Sequence, residues 1–405
     1  MEKIKNFKIE KKILLLSIIF LIFGLFISSI VKYGDDADTY ALILSYLGII
    51  EKGIYSPSRF YGSPLAEIII GFFSYNFGGQ ISSYICYVLY LISLICLFSY
   101  FENERRKNSH NKIYFIILAI TNPILLFDNS NPSDFPLALF FFSTGILTLK
   151  YRFNLIACLL LGFSIACRAN YAAFVYLILL FHFFSKEKKI YNDKIFTIIN
   201  TSVVASLFYL PVLIQNKFKL SFIKNTGGPP FELYELLSRF IYKIYLSIGI
   251  YSSILFVLLL FFIKLNLIKK IIDKYKKEIF IFALNLLIFF FIPSKTAIIS
   301  LSILMLYLIV LNILKRKIIL ILILCNILYW IVSYRILDIT YKSTNECDAI
   351  NATDAKFTFK IEEGFFLIKK EKIKIKMNCD SNFFKNKKKN YFNGERLSFD
   401  NTTRH

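Results

Sequence analysis

Apolar residues gather in runs of 14 to 21 positions through the first 334 residues. They lie at 13–31, 80–100, 113–127, 135–149, 154–167, 171–184, 195–214, 244–263, 279–292, 296–314 and 318–334. A helix needs roughly 20 apolar residues to cross about 30 Å of hydrocarbon, and tilt or burial admits some shorter spans. The pattern predicts an all-α polytopic membrane protein with about eleven transmembrane helices. The first run follows a basic start, as in a signal peptide, but it is too long and no small-residue cleavage site follows, so it is expected to stay as an anchor.

The connections set the orientation. With the N-terminus inside, the inner connections hold 24 Lys and Arg against 10 in the outer ones, which predicts an inside N-terminus and, with an odd number of spans, an outside C-terminus. The length is on the outer side. Residues 32–79 and 215–243 are far longer than simple connections, and loops of that size are usually functional. In the first, the segments beginning at Tyr40 and at Pro64 carry apolar residues at helical spacing, as two helices along the membrane surface would. The second contains Thr226-Gly227-Gly228-Pro229-Pro230, a helix-breaking cluster.

The pattern changes at 335, and the chain divides into a transmembrane domain, 1–334, and a small extracytoplasmic domain, 335–405. In the latter, 357–362 and 365–377 alternate apolar and charged residues around Gly364, which predicts β-hairpin character. Outside the cell, Cys347 and Cys379 could bridge and close a loop of about 33 residues, contributing ~3 kcal/mol; two unpaired thiols are the alternative.

Composition narrows the function. A net charge of +22 would suit a nucleic-acid partner in a soluble chain, but 56% of the residues are hydrophobic and the basic residues sit in short loops between apolar runs, so no nucleic acid is expected. Cys86, Cys96, Cys158, Cys167 and Cys325 are isolated in or beside apolar segments and read as small core residues. The three histidines form no ligand set.

The ionisable residues of the transmembrane part collect at the outer ends of the runs. Asp35, Asp36 and Asp38 follow the first run, Asp128 and Asp134 lie between the third and fourth, Arg168 between the fifth and sixth, and Lys295 between the ninth and tenth. A charge near hydrocarbon loses several kcal/mol of hydration unless it is paired or reaches water, so a cluster of three carboxylates there asks for a use. Single cations at helix ends often only snorkel, and Asp134 could simply cap the helix that follows. A transporter would place ionisable or broken-helix groups near the midplane, and no such pair and no transporter-type repeat is visible in the sequence.

Several of these elements resemble the GT-C superfamily of integral-membrane glycosyltransferases, which use polyprenyl-phosphate sugars and include the protein mannosyltransferases and aminoarabinose transferases. Asp35-Asp36-Ala37-x-x-Tyr40, Leu47, Gly53 and Arg59-x-x-Gly62-x-Pro64-Leu65 resemble their first outer loop. Ser133-Asp134-Phe-Pro-Leu-Ala-Leu is similar to the acidic opening of their fourth span, and Gly162-Phe-Ser-Ile-Ala-Cys-Arg168-Ala-Asn to their next outer turn. Asp38 departs from the aromatic or aliphatic residue usual after the acidic pair, and Pro293-Ser294-Lys295 lacks a following aromatic residue.

The resemblance implies transfer of a sugar from a polyprenyl-phosphate donor to a glycan, lipid or protein acceptor on the extracytoplasmic face of a bacterial cytoplasmic membrane, with inversion. Asp36, then Asp35, with Asp38 as the third carboxylate, are the candidate general bases. Arg59, Arg168 and Lys295 are the candidate phosphate ligands, Asp134 completes the set, and Tyr40 and Tyr61 could pack against a sugar. No cofactor is required, although Asp35, Asp36 and Asp134 are an oxygen donor set that would suit Mg2+ or Mn2+. The alternatives are a lipid-linked saccharide flippase or other transporter, and an O-antigen-type polymerase or ligase relying on outer-loop arginines and histidine.

Overall fold

The computed structural model describes residues 2–33, 37–59, 62–102, 109–184, 191–215, 217–218, 233–261, 271–291, 296–344, 369–378 and 394–399. Its helices are α1 (Glu2–Val31), α2 (Ala37–Lys52), α3 (Pro64–Phe101), α4 (Ser109–Thr121), α5 (Pro123–Ser130), α6 (Asp134–Lys150), α7 (Asn154–Cys167) and α8 (Tyr171–Phe183). They continue with α9 (Tyr191–Gln215), α10 (Leu233–Ile248), α11 (Ile250–Phe261), α12 (Lys276–Phe291), a 3-10 turn (Thr296–Ile299), α13 (Ser300–Ile313) and α14 (Arg316–Ser333).

Among the described residues the apolar runs fall almost wholly on helix, but most of these helices are short or bent. Among the described residues three helices are long and apolar enough to cross a membrane, Pro64–Phe101, Lys194–Gln215 and Thr296–Ile313, or five if two bent pairs each count as one span. The reason is length: α7 and α8 have 14 and 13 residues. At about 1.5 Å per residue neither reaches across ~30 Å of hydrocarbon.

The bent pairs correct the expectation that broken helices are absent. The segments Asn111–Thr121 and Pro123–Ser130 meet at 79°, and Leu236–Ile248 and Ile250–Leu258 at 97°. Pro123 has no N–H to continue the ladder of α4, and Asn122 takes an extended backbone while its side chain accepts from Leu125 N. Gly249 makes the second bend at φ +85, where a side chain would be strained and would also meet the Tyr329 ring.

Carbonyls freed at these bends have no water to turn to, and side chains satisfy them. Asn122 Nδ2 donates to Ser247 O at 3.1 Å and to Tyr307 Oη at 3.0 Å, Tyr329 Oη donates to Leu246 O, and Trp330 Nε1 donates to Thr121 O. Asn326 Nδ2 also reaches Tyr307 Oη, and Asn326 Oδ1 accepts from Ser252. Asn122→Leu is expected to lower the melting temperature in detergent, at ~1–3 kcal/mol for each buried group left without a partner. Asn312→Leu is the control, since Asn312 donates only to Leu308 O of its own helix. Equal melting temperatures for the two variants would show that the bends do not depend on this network.

Packing of α3, α6, α7 and α9 positions the site. A Cβ on Gly145 would lie 2.8 Å from Leu161 Cδ2 and one on Gly162 would lie 2.6 Å from Val204 Cγ1, so α7 is in close contact with α6 and α9. Ser164 Oγ donates to Ala138 O at 2.9 Å and pins the α6–α7 hairpin. This antiparallel pair sets the first residue of α6 beside the last turn of α7.

The two outer-loop helices expected from the sequence correspond to α2 and the start of α3. The latter runs on for 38 residues with non-helical backbone at Gly78 (φ 79, ψ 177), which separates its first part from the span.

In the tail, β1 (Tyr334–Thr344) follows α14 directly and is the central strand of a sheet ordered β2-β1-β3. β2 (Lys369–Asn378) pairs with it in parallel, from Arg335↔Lys369 to Thr344↔Asn378; β3 (Gly394–Phe399) pairs antiparallel, from Tyr334↔Phe399 to Ile339↔Gly394. The second arm of the expected hairpin overlaps β2. Its first arm, Gly364, Cys347, Cys379 and the turn at Thr226–Pro230 lie outside the described residues.

Candidate functional site

Three separate stretches of chain, joined by Asp38 from the first turn of α2, deliver charges to one place. The first stretch is 53–67. Gly62 turns back at φ +64 and its N–H donates to Arg59 O at 3.0 Å, which leaves the Arg59 side chain on a tight loop just before α3. Glu67, fully buried in the first turn of α3, ties that loop down. Its carboxylate accepts from Tyr55 Oη at 2.6 Å, Ser58 N at 2.8 Å, Ser58 Oγ at 2.6 Å and Ser63 N at 3.0 Å. The positive end of the helix dipole favours a carboxylate there. Burial, with the Glu67 charge second, pushes the Tyr55 phenol well above its ordinary value, so it remains a donor.

The second stretch is the start of α6. Asp134 is the first residue of that helix and is fully buried. The third is the turn between α7 and α8, where Arg168 is the C-cap of α7, the dipole end that favours a cation.

These residues meet. Arg59 donates through Nη1 to Asp134 Oδ2 at 3.1 Å and through Nη2 to Asp134 Oδ1 at 3.3 Å, the forked geometry that gives guanidinium its specificity for carboxylate and phosphate. Arg168 Nη1 donates to Asp134 Oδ2 at 2.6 Å, and Ser63 Oγ reaches the same oxygen at 3.3 Å. The Arg59 Nη2 group also pairs with Asp38 Oδ2 at 2.8 Å, and Asp38 sits in the first turn of α2. Arg168 lies over the Phe135 ring, 3.5 Å from its centroid. Exposure rises from Asp134, whose side chain is fully buried, to Asp38, whose side chain is 24% exposed. Asp38 is thus the most exposed member of the cluster, and Asp134 the member that holds the two guanidiniums together.

Four of the residues singled out from sequence, Asp38, Arg59, Asp134 and Arg168, are therefore brought together. Asp35, Asp36, Tyr61 and Lys295 lie outside the described residues. Tyr40 is buried on α2, its ring 6.0 Å from that of Tyr33 and tilted to it; a ring so placed packs α2 and offers no open face to a sugar. Asp128 is buried on α5 and accepts from Thr296 Oγ1 at 3.0 Å, which ties α5 to the 3-10 turn.

Sequence reasoning did not single out Glu67, Ser63, Thr296 or Phe135. Glu67 had a signal, a single acid in the apolar segment that opens at Pro64. Thr296 and Phe135 had none, because their importance comes from neighbours distant in sequence.

The expected metal set meets an obstacle at Asp134. Both of its oxygens accept from guanidiniums, and a dication there would face two fixed positive charges. Among the described residues no group of three or more His, Cys, Asp or Glu comes together as ligands. Two guanidiniums thus occupy Asp134 where a Mg2+ or Mn2+ ion would have to sit, and the other two members of the expected set, Asp35 and Asp36, lie outside the described residues. Comparison of the chain with protein-family models, curated proteins and solved structures finds no match.

Proposed function

We propose that this chain is a multi-pass membrane glycosyltransferase that moves a sugar from a polyprenyl-phosphate donor to a glycan, lipid or protein acceptor on the outer face of the membrane. The observation that carries the reading is the meeting of Asp38, Arg59, Asp134 and Arg168 from four separate stretches of the chain. It supports two needs of the reaction: arginines for a departing phosphate, and a carboxylate, Asp38, beside which an acceptor hydroxyl would bind. In this reading the shorter apolar helices, too short for an undisturbed bilayer, complete an eleven-span layout by local thinning of the membrane around them, with the N-terminus inside and the tail sheet in an outer C-terminal domain.

The step balances without a cofactor. A carboxylate, Asp36 first and Asp35 next, takes the proton of the acceptor hydroxyl. The acceptor oxygen forms the new bond to the anomeric carbon as the bond from that carbon to the phosphate oxygen breaks. The electron pair leaves on polyprenyl phosphate, whose charge Arg59 and Arg168 hold, and direct displacement inverts the anomeric centre.

One observation favours a second reading, a lipid-linked saccharide flippase or transporter: the two helices broken within apolar segments. Against it, the polar groups at the breaks bond to one another and present no open set of donors.

Reconstituted liposomes separate the two. With a radiolabelled polyprenyl-phosphate sugar and a membrane extract as acceptor source, the glycosyltransferase reading expects label to leave the polyprenyl carrier and appear on a new product. Label that stays on the carrier and only changes leaflet would establish the transporter instead.

A further inference from the structure

Helix α10 is amphipathic the wrong way round for a helix in water. At 100° per residue, Tyr234, Leu237, Ile241 and Tyr245 fall on one face and all are exposed, Ile241 by 63%. The opposite face carries Arg239, Lys243, Leu246 and Ser247, of which Lys243, Leu246 and Ser247 are buried. A water-facing helix buries its apolar stripe and exposes its charges. An exposed apolar stripe, flanked by exposed Ser238 and backed by a face on which Lys243 is buried and Arg239 half-buried, implies an apolar medium outside and polar surroundings inside.

The bend fixes the direction. α10 meets α11 at 97°, and among the described residues of α11 the exposed ones, Ile250, Ile254, Val257 and Leu258, are apolar, as for a segment crossing lipid. A near right angle to such a segment lays α10 along the membrane plane. Its tyrosines set the depth, because an amphipathic ring with a hydroxyl tip favours the headgroup boundary over the hydrocarbon centre. On its inner side α10 packs against α5, which carries Asp128, and against the 3-10 turn whose Thr296 bonds Asp128.

We propose that α10 lies in the membrane plane at the boundary between headgroups and acyl chains, its Tyr234, Leu237, Ile241 and Tyr245 face seated in bilayer lipid and its basic face turned to the protein at α5. The occupant of the exposed face is lipid. The face carries no charged residue at its four positions, and the chain runs on through Gly249 into α11, whose exposed described residues are apolar. This placement does not depend on the glycosyltransferase reading.

The test uses the full-length protein in liposomes with tryptophan introduced at either end of the stripe, Tyr234→Trp and Tyr245→Trp, each read against the unmodified protein, whose one tryptophan is Trp330. Both substitutions are aromatic replacements at exposed positions, and monodisperse elution shows that each variant is folded. Lipids brominated close to the headgroup are expected to quench both added tryptophans more than lipids brominated deep in the chain, with the same depth at the two sites and little quenching by iodide. An upright α10 would separate the two positions by about 16 Å in depth, so a clear difference in depth overturns the proposal. Strong iodide quenching overturns it by placing the face in water. Protection from both quenchers overturns it by showing a protein partner or a second copy on the face.

Discussion

Asp134→Leu is expected to lose ~3–5 kcal/mol of stability, the cost of leaving buried guanidiniums without their carboxylate. Arg59 and Arg168 are 11% and 6% exposed in their side chains, and both pair with Asp134, Arg59 sharing itself between Asp134 and Asp38. Such a loss is a large share of the ~5–15 kcal/mol that holds a typical domain together. Folded protein should be scarce, with a melting temperature well below that of the unmodified chain. Asp134→Leu combined with Arg168→Leu should recover much of the loss, since Arg59 still has Asp38 at 2.8 Å and one opposite pair has been exchanged for apolar contact. The double variant should regain stability and remain inactive, which separates the structural part of Asp134 from its part in holding the arginines for an anion. Thermal unfolding in detergent and a transfer assay on the same samples read both. An Asp134→Leu variant as stable as the unmodified protein would mean that the cluster is not the buried ion-paired unit described.

Asp36→Asn carries the second large effect. If Asp36 takes the acceptor proton, the amide should lower kcat by about 10^2–10^4-fold. The melting temperature should be unchanged, because Asn keeps the volume and removes only the charge. Asp38→Asn is a different perturbation. It removes the charge that pairs with Arg59 and is expected to cost about tenfold in kcat/KM, equivalent to ~1.4 kcal/mol. A larger loss at Asp38 than at Asp36 would move the base to Asp38, and full activity in folded versions of both would remove the acidic edge from the mechanism.

Much of the frame was legible in the sequence because it rests on local pattern. Apolar runs found the helices, and the change of alternation near 335 found the tail, where β1 begins at Tyr334. The charges at the run ends found Asp38, Asp134 and Arg168, since a charge beside hydrocarbon must be paired or wet wherever it lies, and Arg59 came from the resemblance of the first outer loop to a known family.

What escaped depends on partners far along the chain. The bends at Asn122 and Gly249 follow from single residues inside apolar runs; Asn122-Pro123 and Gly249 were readable as breaks, but the angles depend on Tyr307, Asn326 and Tyr329 supplying the freed hydrogen bonds. The parallel pairing of β2 with β1 joins segments about 30 residues apart, which alternation alone cannot specify. Glu67 looked like one acid in an apolar segment. Its meaning lies in Tyr55, Ser58 and Ser63, which it gathers to set the Arg59 loop.

The central claim is that Arg59 and Arg168, held by Asp134, receive the phosphate of a lipid donor beside the acidic start of α2. A cryo-EM structure of the protein in nanodiscs with added polyprenyl phosphate measures this directly. The account predicts phosphate density within about 3 Å of a guanidinium nitrogen of Arg59 or Arg168, with the prenyl chain leading from it into lipid. Density held instead at the breaks around Asn122 and Gly249, remote from Asp38, would contradict it.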